Sequence, residues 1–506
     1  MRLKRPSTGD VIAGVSVALV AIPQSLAYAE LAGLPPQYGL FASALPPLLA
    51  AAFVSSRYLQ TGPVALTALL TFGALESLAV PASTEYIQLA ALLALLVGIL
   101  RVSLGLLRLG SIAYLLSEPV LLGFTTGAAI LIMSSQLPKV FDVVPEGRGV
   151  LADAATALAN PSEWQWEAML FAAGSLAVIF GGRWLHRLFP GVLLAVAGGV
   201  IVSAALGYSG STVGDLDGGF LSLGLDFPWD SFGDLILPAV AIALVGFAEP
   251  ASIARTFAAE ERLPWNANRE MVSQGVANLA AGVSGAFPVG GSFSRSSLNR
   301  LAGATSPWAG AITGAFVLLT LPMTPLLEDL PRAILGAIVI GAVLKLVKIG
   351  PLIELVRQSR PQALVGIGTL VATLASAPHV ERGVLVGIGL ALAVHLYREM
   401  TVTVESRRID DTLTVSPHGV LWFATVPQLE RLIRSEVAEH PDLRAIVVDL
   451  GSVGRLDYTG AAALGRIVSE LTNAGIEVSV SNIRPGAARA ASVHLGDDDD
   501  ITSVSG

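Results

Sequence analysis

Between Val11 and Ser56 the chain carries a single charged side chain, Glu30, and long stretches equally poor in charge recur as far as about residue 399. Backbone wrapped in that much apolar surface has to satisfy its own N–H and C=O groups, and in lipid a helix does so within one segment. With 53% hydrophobic and 14% charged residues and a mean hydropathy of +0.67, the sequence could not cover a soluble surface of this size. A polytopic α-helical membrane protein is the expectation.

Beyond residue 400 the balance changes. Residues 401–506 hold nine Arg, fifteen Asp or Glu and no Lys, and six of the eight units of net negative charge. Two regimes follow: a membrane domain over 1–400 and a small soluble domain over 401–506, of ordinary domain size. No basic stripe with interleaved aromatics points to nucleic acid. The absence of cysteine excludes disulfides and thiolate sites. Met1-Arg2-Leu3-Lys4-Arg5 reads as the basic, cytoplasmic end of a first membrane helix rather than as a cleaved signal.

About fourteen apolar segments can be counted, several too short or too interrupted by Gly and Pro to cross roughly 30 Å of hydrocarbon with an intact helix of about 20 residues. Thr61-Gly62-Pro63-Val64-Ala65 opens the third segment and Pro288-Val289-Gly290-Gly291-Ser292-Phe293-Ser294 opens the tenth. Pro23-Gln24 in the first segment and Glu249-Pro250 in the eighth are two further expected breaks. The spacing of seven segments in both pairs predicts two inverted repeats, over about 8–208 and 230–400, with a substrate site at the breaks. A polar stretch near 208–231 would link the halves.

Arg295 follows the Gly-Gly-Ser lead-in, and an arginine at membrane depth needs something negative or wet to answer it. Free N–H groups and the positive dipole end at a helix start form an anion site, to which Ser292, Phe293, Ser294 and Arg295 would contribute. Val64 and Ala65 would add backbone donors at the start of segment three. Gln24 and Tyr28, four apart on one helix face, can hydrogen-bond an oxyanion. Glu249 is the one acid between Leu235 and Ile253, which suits it to take up the proton in proton-coupled anion uptake. A sodium site made from that acid and nearby hydroxyls is the competing reading, and a structural acid or a partner for Arg255 a third. No metal-ligand spacing, phosphate loop or nucleophile–base pair is present, so neither an enzyme nor a resident cofactor is expected.

In the tail, Leu413-Thr414-Val415 and Val420-Leu421-Trp422-Phe423 read as strands around a Pro-His-Gly turn. Val426–Glu439 and Ala461–Asn473 read as helices, and 445–450 and 476–480 as strands of an α/β fold with a largely parallel core. The Asp497–Asp500 run reads as a solvated end.

Three groups of residues also carry a family resemblance. Pro23 to Ala29 with Leu31 to Leu40, Gly246 to Ala254 with Asn278 to Gly285, and Ser292 to Asn299 resemble the first and the eighth to tenth helices of sulfate permease (SulP) anion transporters. Val447 to Leu450 and Leu456-Asp457-Tyr458-Thr459-Gly460 resemble a STAS domain, in the position where these transporters carry one. The resemblance implies fourteen segments in two intertwined repeats, a core domain moving against a gate domain, often a homodimer, and a cytoplasmic STAS domain open to a regulatory protein. The even segment count returns the C-terminus to the cytoplasmic side of the basic N-terminus, in the inner membrane, and the resemblance implies sulfate, bicarbonate, chloride, oxalate or a dicarboxylate as substrate. Tyr28 and Val64 lend an apolar wall that favours a dicarboxylate such as fumarate. Asp449, Asp457 and Thr459 form the STAS regulatory loop, with Thr459 where related modules carry a phosphorylated serine. An uncoupled channel or exchanger on the same fold, and a membrane-tethered signalling protein, are the alternatives.

Overall fold

The computed structural model describes residues 5–111, 117–144, 149–186, 189–216, 221 and 223–484. The basic residues 1–4, part of the polar link and the Asp497–Asp500 run lie outside the described residues. The chain divides into two units, 1–391 and 392–506.

The first unit is helical. α1 (Thr8–Leu31), α2 (Gln37–Ala50), α3 (Ala65–Leu75), α4 (Thr84–Leu106), α5 (Glu118–Phe141), α6 (Val150–Ala159), α7 (Trp166–Leu185) and α8 (Gly191–Leu206) come from the first half. α9 (Phe232–Glu260), α10 (Ala267–Val283), α11 (Phe293–Leu301), α12 (Trp308–Thr320), α13 (Arg332–Val343), α14 (Ile349–Gln358), α15 (Arg360–Ala375) and α16 (Val380–Glu399) come from the second. Among the described residues, seven helical stretches are long and apolar enough to cross a membrane, while α3, α6, α8 and most of α7 are apolar but shorter. With α6 and α14 set aside, fourteen segments remain, and α3 and α11 are the third and the tenth.

The helices sort into two bundles. α1–α4 pack with α9–α12; α5, α7 and α8 pack with α13–α15, and α16 lies on α5 and α15. With α6 and α14 set aside, each half thus gives four helices to one bundle and three to the other, the division expected of a core and a gate. The bundles meet where α1 touches α8 and α13, and where α3 touches α5.

Two expected breaks are not breaks. α1 runs through Pro23 and α9 through Pro250, although each proline removes a donor and leaves the carbonyl four residues back unpaired. Tight packing holds α1 in line: Ser25 donates its hydroxyl to the Ala21 carbonyl and meets Ser43 Oγ of α2 at 2.5 Å. In α9 the displaced carbonyl belongs to Gly246, beside Gly290 of the second half.

The second unit contains a five-stranded sheet: β3 (Thr403–Ile409), β4 (Thr412–Leu421), β5 (Ala445–Asp449), β6 (Val453–Leu456) and β7 (Glu477–Ser481). The order is β3-β4-β5-β7 with β6 also on β4; every pairing but β3–β4 is parallel. Helices α17 (Val426–Glu439) and α18 (Tyr458–Asn473) bury Leu429, Ile433, Leu464 and Ile467 with strand residues Val415, Ile446 and Val448. The Pro-His-Gly turn is absent. β4 passes straight through, because Pro417 faces Val404 in the ladder and the register shift falls at Gly419/Val420.

Candidate functional site

The two remaining breaks come together. Thr61–Gly62 (β1) and Gly290–Gly291 (β2) form a two-residue antiparallel ladder, Thr61 opposite Gly291 and Gly62 opposite Gly290. Ser292 N–H donates to the Gln60 carbonyl at 3.0 Å, and Gln60 N–H donates to Ser296 Oγ at 2.9 Å. Asn299 Nδ2 donates to the Tyr58 carbonyl at 3.1 Å. The strand before α3 is therefore stitched to α11 along its length, and the two helices start from one point.

These residue types are required there. A side chain on Gly291 would meet Pro250 Cβ at 2.7 Å and Leu59 Cδ1 at 2.8 Å; one on Gly290 would meet Val64 Cγ2 at 3.2 Å. Gly62 has φ +153°, and a side chain there would press on the Arg295 guanidinium at 3.3 Å. Val64 is the N-cap of α3 in an extended conformation without a side-chain cap. Ser292 caps α11, its Oγ accepting from Arg295 N–H at 3.4 Å. The first N–H groups of each helix have no intrahelical acceptor, so two half-open dipole ends face one region.

Arg295 is only 2% exposed. One nitrogen, Nη2, donates to the Pro63 carbonyl at 2.6 Å, while Nε is buried without a partner. The guanidinium braces the break before α3 and sends its charge into the site through space, within electrostatic reach of Tyr28 and Glu249. Tyr28 and Gln24 are buried on α1, and Gln24 Oε1 has no hydrogen-bond partner. Val64 and Ala65 are buried at the head of α3, where Thr67 Oγ1 donates to the Val64 carbonyl at 3.2 Å. Glu249 is half-buried on α9 and feels Arg295 and also Lys348, at the head of α14 in the other bundle. Phe293 and Ser294 point outward: Phe293 is 52% exposed and stacks on Phe257 with ring centroids 6.4 Å apart. Tyr28, Val64, Ala65, Glu249 and Arg295 thus gather at the junction, Gln24 lies one turn before Tyr28 on α1, and Phe293 and Ser294 lie at the edge.

Residues given no role in the sequence hold this junction. Asn278 of α10 grips Val289 on both sides, Nδ2 donating to its carbonyl at 3.0 Å and Oδ1 accepting from its N–H at 2.9 Å. Gln274 Nε2 donates to Thr61 Oγ1 at 2.8 Å. Arg101 of α4, 0% exposed, donates to the carbonyls of Ile242, Ala243 and Val289. Its signal was its position as the one charge in the apolar run 86–107.

In the second unit the loop residues have separate tasks. Asp457 caps α18, its Oδ1 accepting from Gly460 N–H at 2.6 Å. Asp449 Oδ1 accepts from Gly451 N–H at 2.9 Å and Asn482 Nδ2 at 3.0 Å. Thr459 is exposed in the first turn of α18.

Comparison with known proteins bears on the family and the fold. Residues 8–369 match the sulfate permease family and residues 403–497 the STAS domain. A "Probable sulfate transporter" of Mycobacterium tuberculosis is 31% identical over 523 residues, covering 97% of this chain and 92% of its own. "Sulfate transporter 4.1, chloroplastic" of Arabidopsis thaliana is 31% identical over 515 residues, covering 94% and 75%. Among solved structures, murine Slc26a9, an anion transporter captured facing inward, superposes with a TM-score of 0.87 at 21% identity over 97% of this chain and 88% of that one. The transmembrane domain of a cyanobacterium bicarbonate transporter, BicA, does so with a TM-score of 0.65 at 22% identity over 76% and 97%. The shared fold, the paired helix starts and the match over most of its length show that this chain is a multi-pass membrane protein of the sulfate permease family, a transporter rather than an enzyme, with a C-terminal STAS domain.

Proposed function

We propose that this protein carries a small dianion across the membrane in symport with a proton, by alternating access around the junction of α3 and α11. The observation that carries the reading is the β1–β2 ladder, which fixes two helix N-termini at one point beside Arg295. Each helix start supplies roughly half a positive charge, so the pair offers about one unit and Arg295 about one more. An ionised Glu249 cancels about one of those units and a protonated one does not. A proton on Glu249 therefore raises the site to about +2, which balances sulfate or a short dicarboxylate, and its loss favours release.

Gln24 supports the same site. Its orphan amide oxygen exchanges place with the NH2 group by a flip of the terminal amide, giving a donor to an anion oxygen. Sulfate is favoured by the names of the similar proteins. Fumarate remains the organic candidate, since Tyr28, Val64 and Ala65 give the junction an apolar side. The STAS unit would act from the cytoplasm as a regulatory module, with the inner membrane as location and a homodimer as the working form.

The test is uptake of labelled sulfate, fumarate and bicarbonate into liposomes holding the purified protein, under an inward proton gradient, a sodium gradient, or neither. We expect proton-driven uptake of one dianion, lost by tenfold or more in Arg295→Ala. In Glu249→Gln uptake should no longer respond to the gradient, while the anion still binds. Flux driven by sodium, or flux indifferent to both gradients, would replace the proton reading by sodium coupling or by an uncoupled pathway.

A further inference from the structure

Arg101 is a fully buried cation, and among the described residues no carboxylate pairs with it. All three of its hydrogen bonds end on backbone carbonyls: Nε on Ala243 at 3.1 Å, Nη2 on Ile242 at 2.9 Å and Nη1 on Val289 at 3.0 Å. An apolar side chain of similar volume would fill that space at lower cost, because burying an unpaired charge is expensive even when its donors are met. A residue that merely packs does not need this chemistry.

The three acceptors identify what the guanidinium joins. Ile242 and Ala243 lie on α9, about two turns before Glu249. Val289 is the residue before β2, and Asn278 already holds its N–H and its carbonyl. The planar fork thus spans from the helix that carries the acid to the peptide that leads into the head of α11. Gly246 makes the room: a side chain there would come within 2.6 Å of Arg101 Nη2. Lysine could not replace the fork, since a point charge on a flexible stem cannot hold three carbonyls in a fixed plane.

We infer that Arg101 is a positioning residue for anion transport, setting the separation between Glu249 on α9 and the anion-binding start of α11. The inference rests on the site proposed above. It differs from a structural role because the contact it fixes is the one between the proton group and the anion group.

The test uses the full-length protein with Arg101→Lys, and with Gly246→Ala, which pushes the guanidinium aside without removing its charge. Uptake of labelled sulfate and fumarate gives KM and maximal rate, and hydrogen–deuterium exchange is followed in peptides covering 286–294. We expect KM to rise about tenfold or more with the maximal rate kept within about threefold, together with faster exchange at 286–294 in both variants. A fall in maximal rate at unchanged KM, or exchange at 286–294 like that of the parent, overturns the inference. Should the parent protein itself carry neither anion, the transport reading fails and this inference falls with it, whatever the exchange shows.

Discussion

In the site proposed above, Arg295 would serve without pointing into it. Its Nη2 is committed to the Pro63 carbonyl, and its charge acts at a distance on Tyr28 and Glu249. A change that keeps the charge but loses the plane should therefore be costly. Arg295→Lys is expected to lower sulfate uptake by about tenfold, because an ammonium can contact Pro63 but cannot lie flat over Gly62 as well. Uptake in Arg295→Lys equal to that of the parent would show that charge alone is enough there. Glu249 has the opposite character, half-buried and open to two cations from different bundles, Arg295 and Lys348.

At the scale of elements, short helices frame the proposed site and long ones form the scaffold around it. α11 has nine residues and α3 eleven, and glycines lead into both: Gly62 lies against Arg295, Gly290 against Val64 and Gly291 against Pro250 and Leu59. Gly291→Ala is expected to lower the melting temperature in detergent, at a cost of about 1–3 kcal/mol, since its new methyl meets Pro250 Cβ at 2.7 Å and Leu59 Cδ1 at 2.8 Å. Gly198→Ala, within α8 and with no atom within 4 Å of the new methyl, should raise the melting temperature instead, stabilising by up to about 1 kcal/mol. Equal effects of the two substitutions would sink the argument. The starts of α3 and α11 were legible in the sequence because glycine and serine act on the backbone within a few residues. The straight passage of α1 and α9 through Pro23 and Pro250 was not, since neighbours such as Ser43 supply the support. Nor could the partners of Arg101 and Arg295 be read: they are carbonyls 141, 142 and 188 residues away for one and 232 for the other, and a carbonyl carries no residue signature. The Pro-His-Gly segment failed for a related reason, because pairing to β3 outweighed local turn preference.

At the scale of the molecule, the two bundles of the first unit share a lock. Glu30, near the end of α1, meets Lys139 of α5 at 2.5 Å and Arg332 of α13 at 3.4 Å, with its side chain only 9% exposed. Under the alternating access proposed above these bundles move against each other, and this contact opens in part of the cycle. Glu30→Gln should weaken it. A cysteine introduced at the buried Leu34, in a chain with none of its own, would then react faster with a maleimide; unchanged reactivity would remove the lock from the cycle. The ladder between Thr61–Gly62 and Gly290–Gly291 has a different consequence, in the history of the chain rather than its cycle. Its strands are about 230 residues apart, so at 5–20 residues per second the first waits about 10–50 s on the ribosome for its partner. During that interval β1 has no strand to pair with and the head of α3 lacks the α11 start beside it.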